Sequence, residues 1–170
     1  MFKFSVLTVG YWAFCSWLLA LSLIDIDTMT LPNQLTQSGL VLGIVFHIVL
    51  GYELEAGLAG LVKQLMTAIV GAVLGLWLLD AIAILSYLIL RKDGMGGGDV
   101  KLAAMMGAWL GWRYLLLAIF IAAVAGVLIA NKKLGQKKPI PFGPFLALGA
   151  VISLSYGKAI LYIYLHLMFN

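Results

Sequence analysis

Residues 4–24 read FSVLTVGYWAFCSWLLALSLI, an unbroken apolar run from Phe4 to Ile24 that is closed by Asp25. As a helix the run is roughly 31 Å long, enough to cross the hydrocarbon core of a bilayer. It is too long for the h-region of a signal peptide. The charge before it is Lys3 alone, and no A-x-A-like site follows. It is therefore read as a retained transmembrane helix. It also holds Cys15, the single cysteine of the chain, which by itself supplies neither a disulfide nor a thiolate metal site and is read as a small packing residue.

The rest of the chain repeats the pattern. Of 170 residues, 64% are hydrophobic and 11% charged, against about 25% charged in a soluble domain. Mean hydropathy is +1.08. The charges cluster between apolar runs, as in a chain whose outside is lipid. The sequence predicts an all-α, polytopic membrane bundle forming one domain over residues 1–170, with about six membrane segments. These are Phe4–Ile24, Leu35–Tyr52, about Leu65 to Leu90, Lys101–Trp112, Tyr114–Ala130 and Phe142–Tyr156. Lys101–Trp112 is roughly 18 Å as a helix, too short to cross unaided. The stretch with Glu53, Glu55 and Lys63 and the aromatic tail Lys158–Asn170 are both expected at the interface. The G-x-x-x-G pairs Gly39/Gly43, Gly71/Gly75 and Gly107/Gly111 are read as close helix contacts.

Orientation follows from lysine and arginine. With Met1 outside, the loops 25–34, 91–101 and 131–141 face the cytoplasm and hold Arg91, Lys92, Lys101, Lys132, Lys133, Lys137 and Lys138. The other side holds Lys3, Lys63, Arg113 and Lys158. Seven against four places those loops inside. The net charge of +4 is thus a topology signal, and no nucleic-acid site is read from it.

Among the seven acidic residues, Asp25 and Asp99 mark the chemistry. Asp25 ends the first helix. Asp99 follows Gly94-Met-Gly-Gly-Gly98, so the candidate active-site loop is Gly94, Gly96, Gly97 and Gly98. Both aspartates fall at the same membrane boundary. Glycine permits close approach and positive φ. Two neighbouring carboxylates do not readily both ionise, so one acts as general base on water while the other donates a proton. Peptide hydrolysis then needs neither metal nor covalent intermediate, and no cofactor is expected.

Other motifs fail on their residues. A P-loop needs G-K-[ST] where Gly98-Asp99-Val100-Lys101 stands, and a dinucleotide fingerprint needs glycine at Asp99 and a preceding strand. No H-E-x-x-H pairs His47 with His166, and no nucleophile elbow is present.

The stretches Ile24-Asp25-Ile-Asp-Thr-Met-Thr-Leu31-Pro32-Asn33 and Gly94-Met-Gly-Gly-Gly-Asp99-Val-Lys101-Leu, with Pro141-Phe-Gly-Pro144 later, together resemble the type IV prepilin peptidase family of G-x-G-D aspartyl proteases. The resemblance covers nearly the whole chain, and its three blocks fall in the family's order. It implies that Asp25 and Asp99 are the catalytic pair, supported by Leu31, Pro32, Asn33 and Lys101. It implies a bacterial inner-membrane enzyme that removes the basic leader of a prepilin or pseudopilin at the cytoplasmic face, with membrane lipid around it. Asp27, turned roughly 200° from Asp25 on a helix, does not match a catalytic position. Many family members carry two C-x-x-C pairs in an N-terminal region and also methylate the new N-terminus. One cysteine and no such region predict peptidase activity without methyl transfer. Asn33 stands where an Asp often follows Leu-Pro.

Asp80, expected inside the third helix, is either functional or a neutral hydrogen-bonded link between helices. A rival reading makes Asp25, Asp80 and Asp99 the proton path of a small transporter, with the glycine run as unwound helix. Another is a non-catalytic scaffold in a pilus or secretion machine. Lys132 to Lys138 is read as a loop near anionic lipid, and Pro139, Pro141 and Pro144 as a broken entry to the last helix.

Overall fold

A computed structural model describes residues 6–54, 58–90, 96–132 and 141–168, and the regular structure among them is entirely helical. The helices are α1 (Val6–Thr28), α2 (Asn33–Leu54), α3 (Leu58–Leu90), α4 (Gly97–Lys132) and α5 (Gly143–Met168). All five are long and apolar enough to cross a membrane. The protein is an all-α, multi-pass bundle.

The described residues nevertheless form six helical arms, because α4 is two helices in series. Gly111 has φ 72° and ψ 168°. A side chain would clash with its own backbone at that φ, so glycine is the residue that permits the break. Before the break, α4 runs antiparallel to α3: Gly75 meets Ala103, Gly71 meets Gly107 and Thr67 meets Gly111. The same arm runs along α2 in the same direction, with Asn33 beside Lys101, Gly39 beside Met105 and His47 beside Trp109. After the break, α4 runs antiparallel to α5: Tyr114 meets Ser153, Ala118 meets Gly149 and Gly126 meets Phe142. Gly143 touches Asp25, so this second arm travels back toward the end of α1 that carries Asp25. The predicted segments Lys101–Trp112 and Tyr114–Ala130 are the two arms of this hairpin.

The reversal fixes the two ends of the bundle. One end gathers Asp25, the 29–32 loop and the starts of α4 and α5. The basic stretches 91–95 and 133–140 lie outside the described residues, but the helix ends that lead into and out of them are all at this end. The other end holds the start of α1, the junction of α2 and α3, and Gly111.

Two boundaries differ from the expectation. The third helix starts at Leu58, so the segment around Lys63 is its first turns. The aromatic tail from Lys158 continues α5 as helix to Met168. A lone lysine keeps its stem in apolar surroundings while its charge reaches outward, so it does not by itself end a helix.

Close approach holds the centre together. A Cβ on Gly71 or Gly107 would run into the carbonyl oxygen of the other, so these two helices meet backbone to backbone. On the other side of α4, Trp109 stacks between Phe14 (5.2 Å) and Phe46 (5.0 Å), and its indole N–H donates to the Gly39 carbonyl at 2.7 Å. Beside it, buried His47 contacts Gln64 Oε1 at 3.0 Å through Nδ1 and the Trp109 carbonyl at 3.2 Å through Nε2. A carbonyl in the last turn before a helix break has no partner four residues on. His47 supplies one for Trp109.

Candidate active site

Asp25 lies in the last turn of α1. The helix stops just beyond it because Met29 turns into the left-handed region at φ 53°, and the Met29 N–H closes the end on the Asp25 carbonyl at 3.0 Å. The chain then passes through Leu31 and Pro32. Pro32 cannot extend the preceding helix, and its carbonyl accepts the first bonds of α2 from Leu35 (3.1 Å) and Thr36 (3.2 Å). The predicted Leu-Pro-Asn segment is thus the tight connection that turns the chain from Asp25 back into the bundle.

The Asp25 side chain is only 6% exposed. Its Oδ2 accepts the Gly143 N–H at 3.0 Å, at the first residue of α5. The Phe142 carbonyl starts that helix by accepting from Phe145 and Leu146, and Pro144 sits in the first turn, where a missing N–H costs nothing. A helix start carries partial positive charge and amides without intrahelical acceptors, so a carboxylate suits it. Space is tight: a Cβ on Gly143 would stand 2.5 Å from Asp25 Oδ2.

Asp99 lies in the first turn of α4 and is 7% exposed. Its N–H donates to the Gly96 carbonyl at 3.0 Å. Asp25 and Asp99, far apart in sequence, are close enough for their charges to interact. Both carboxylates therefore sit buried at helix starts, Asp25 against that of α5 and Asp99 in that of α4.

The supporting residues divide. Leu31 is buried over Gly98, where a Cβ would come within 3.0 Å of it. Lys101 Nζ donates to Asn33 Oδ1, tying the start of α2 to the first turn of α4. Pro32 shapes the turn and is exposed. Gly96 and Gly97 are exposed; nothing lies within 4 Å of a Cβ on Gly97, and neither has positive φ. Among the described glycines of the run none has positive φ, and Gly98 alone has a close neighbour where a Cβ would go. Gly94 lies outside the described residues. Asp27 is exposed, on another side of α1 from Asp25.

Asp80 does not join them. The α3–α4 register places Leu79 at the level of Asp99, but Asp80 is exposed on α3, and no link from it to another helix is present among the described residues. Neither the helix-linking role nor a proton path through the bundle interior has a contact there. No group of three or more metal-ligating side chains occurs among the described residues. Gly143 was not singled out from the sequence. Its only signal there is its place in the Pro141-Phe-Gly-Pro144 block.

The model of the type IV leader peptidase family matches residues 12–131. A prepilin leader peptidase/N-methyltransferase of Aeromonas salmonicida is 40% identical over 148 residues, covering 84% of this chain and 47% of that protein. Those of Stutzerimonas stutzeri and Pseudomonas aeruginosa are each 39% identical over 153 residues, covering 87% of this chain and 50% and 49% of theirs. The chain spans about half the length of these curated relatives. No solved structure matches it.

Proposed function

The chain belongs to the type IV leader peptidase family, and from that premise we propose that it hydrolyses the leader of a prepilin or pseudopilin, using Asp25 and Asp99 on a single water. The observation that carries this reading is the burial of two carboxylates from distant parts of the sequence at one end of the bundle, close enough for their charges to interact. Such a pair holds one proton between two acids. The ionised carboxylate takes a proton from water as the oxygen attacks the scissile carbonyl carbon. The protonated partner hydrogen-bonds to the carbonyl oxygen where negative charge develops. Collapse of the tetrahedral intermediate breaks the C–N bond, and the amine leaves with a proton from the dyad.

The roles of the two acids belong to the pair as a unit. The amide of Gly143 fixes where the Asp25 carboxylate sits and stabilises it when charged. Leu31 closes over Gly98, next to Asp99 in the chain. The Lys101–Asn33 contact holds the start of α4 against α2.

The active end faces the cytoplasm in this reading, in the bacterial inner membrane. The support is the basic content of the loops at that end, with Arg91, Lys92, Lys101, Lys132, Lys133, Lys137 and Lys138 on one side. Leader hydrolysis is the activity proposed; the methyl transfer named in the relatives is not. The direct test is incubation of the purified chain with a purified prepilin in detergent, read by mass spectrometry. Release of the intact leader by the wild type, undiminished by a metal chelator, is the expected result. Loss of cleavage on chelation would overturn a mechanism built on two carboxylates and water.

A further inference from the structure

The segment that leaves Asp25 is fastened to the chain on both sides of Asp99. Met29 closes α1 on the Asp25 carbonyl at 3.0 Å. Leu31 is buried, and a Cβ on Gly98, the residue before Asp99, would stand 3.0 Å from the Leu31 Cβ. Asn33 Oδ1 accepts from Nζ of Lys101, in the turn of α4 that follows Asp99. The stretch of α4 between these two contacts has little of its own to hold it. It opens with Gly97 and Gly98, and glycine is the poorest helix former after proline. Asp25, by contrast, is held from α5 through the Gly143 N–H at 3.0 Å.

We propose that residues 29–33 form a strap that sets the spacing of the two acids, with Leu31 and Asn33 as positioning residues and Lys101 as the anchor on α4. The strap's purpose rests on the peptidase reading, and its geometry on these contacts alone. One water serves both carboxylates only while both stay within reach of it, so a first turn of α4 free to drift costs rate. Two acids that share a proton also titrate as a unit, in two steps whose interval grows with their coupling. Coulomb coupling falls inversely with separation, so widening a close pair by about half removes about a third of it, on the order of one pH unit of that interval. The charged side chains described at this end of the bundle are Asp25, Asp27, Asp80, Asp99 and Lys101. Removing the Lys101 ammonium changes charge as well as hold, whereas removing the neutral Asn33 amide changes hold alone.

The test is an infrared titration of the protonated carboxyl band of the full chain in detergent, beside the pH profile of leader release. Asp25→Asn and Asp99→Asn assign the band. Asn33→Leu is expected to narrow the interval between the two steps by about one pH unit, and to narrow the cleavage profile with it. Asn33→Asp keeps an acceptor for Lys101 and is expected to hold the interval near that of the wild type. Lys101→Met is expected to narrow it and also to move both steps in the same direction, the mark of a lost charge. That variant also covers the case in which Asn33→Leu fails to fold. A lower melting temperature with an unchanged interval would overturn the strap, because a contact that only stabilises the bundle does not uncouple the acids. Movement of both steps together in Lys101→Met, with no narrowing, would overturn it as well. An interval narrowed by Asn33→Leu, in a protein whose wild type releases no leader, would uphold the strap and count against the peptidase reading alone.

Discussion

The backbone N–H of Gly143 donates to Asp25 Oδ2 at 3.0 Å, and a Cβ on Gly143 would stand 2.5 Å from that same oxygen. The start of the last helix is therefore built against the carboxylate of the first. Any side chain at this position must displace either the acid or the helix.

Gly143→Ala is accordingly expected to impair cleavage more than folding. Shifting a reacting group by about 1 Å can cost about 100-fold in rate. The check is leader release at equal protein level, beside a thermal melt in detergent. A variant that melts like the wild type and cleaves at about a hundredth of its rate fits. One that cleaves normally shows that the Gly143 contact does not place Asp25.

Gly71 and Gly107 meet backbone to backbone, whereas Gly97 has open space where a Cβ would go. Gly107→Ala is expected to destabilise the bundle by about 1–3 kcal/mol, the usual cost of overpacking. Gly97→Ala is expected to leave stability unchanged within about 0.5 kcal/mol. Equal melting temperatures for the two variants would contradict the α3–α4 contact described here.

Met29 has φ 53° without being glycine. Holding an L-residue there costs on the order of 1 kcal/mol. Met29→Gly removes that strain and is expected to match or exceed wild-type stability. Met29→Val, β-branched and poorly suited to the left-handed region, is expected to lower it by about 1 kcal/mol. Denaturant titration of both variants measures the difference, and the opposite ranking would mean that the turn after Asp25 adopts another conformation.

His47→Phe keeps an aromatic ring but removes both polar contacts, leaving the Trp109 carbonyl and Gln64 without their partner. The expected loss is about 1–3 kcal/mol. Hydrogen exchange near Gly111 should rise with it, because the carbonyl that His47 satisfies lies just before the break. Unchanged exchange there would show that the reversal of α4 does not depend on this histidine.

Much of this arrangement is legible in the residues. The apolar runs, closed by Asp25 and opened again after Gly98, announce the passes, and the short Lys101–Trp112 run already asks for a partner arm. What the sequence conceals is which side of each helix faces inward. These helices are apolar on all sides, so no polar stripe reports the phase. Asp80 shows the consequence. It looks like an interior acid in one dimension and is exposed in three. Gly143 is concealed for a different reason: its value lies in a contact with Asp25, and only packing brings the two together. The glycine run shows the reverse effect, conspicuous as a string while Gly98 alone requires its small size among the described positions.

The central claim is that Asp25 and Asp99 act as one catalytic unit. It is tested most directly by co-expressing a prepilin with the wild type, Asp25→Asn or Asp99→Asn and scoring leader removal by immunoblot at matched membrane levels. Asparagine keeps the shape of each side chain and removes its acid–base function. The account predicts processing by the wild type and none by either variant, with Asp27→Asn and Asp80→Asn behaving as wild type. Processing by either dyad variant at a rate near that of the wild type would contradict it.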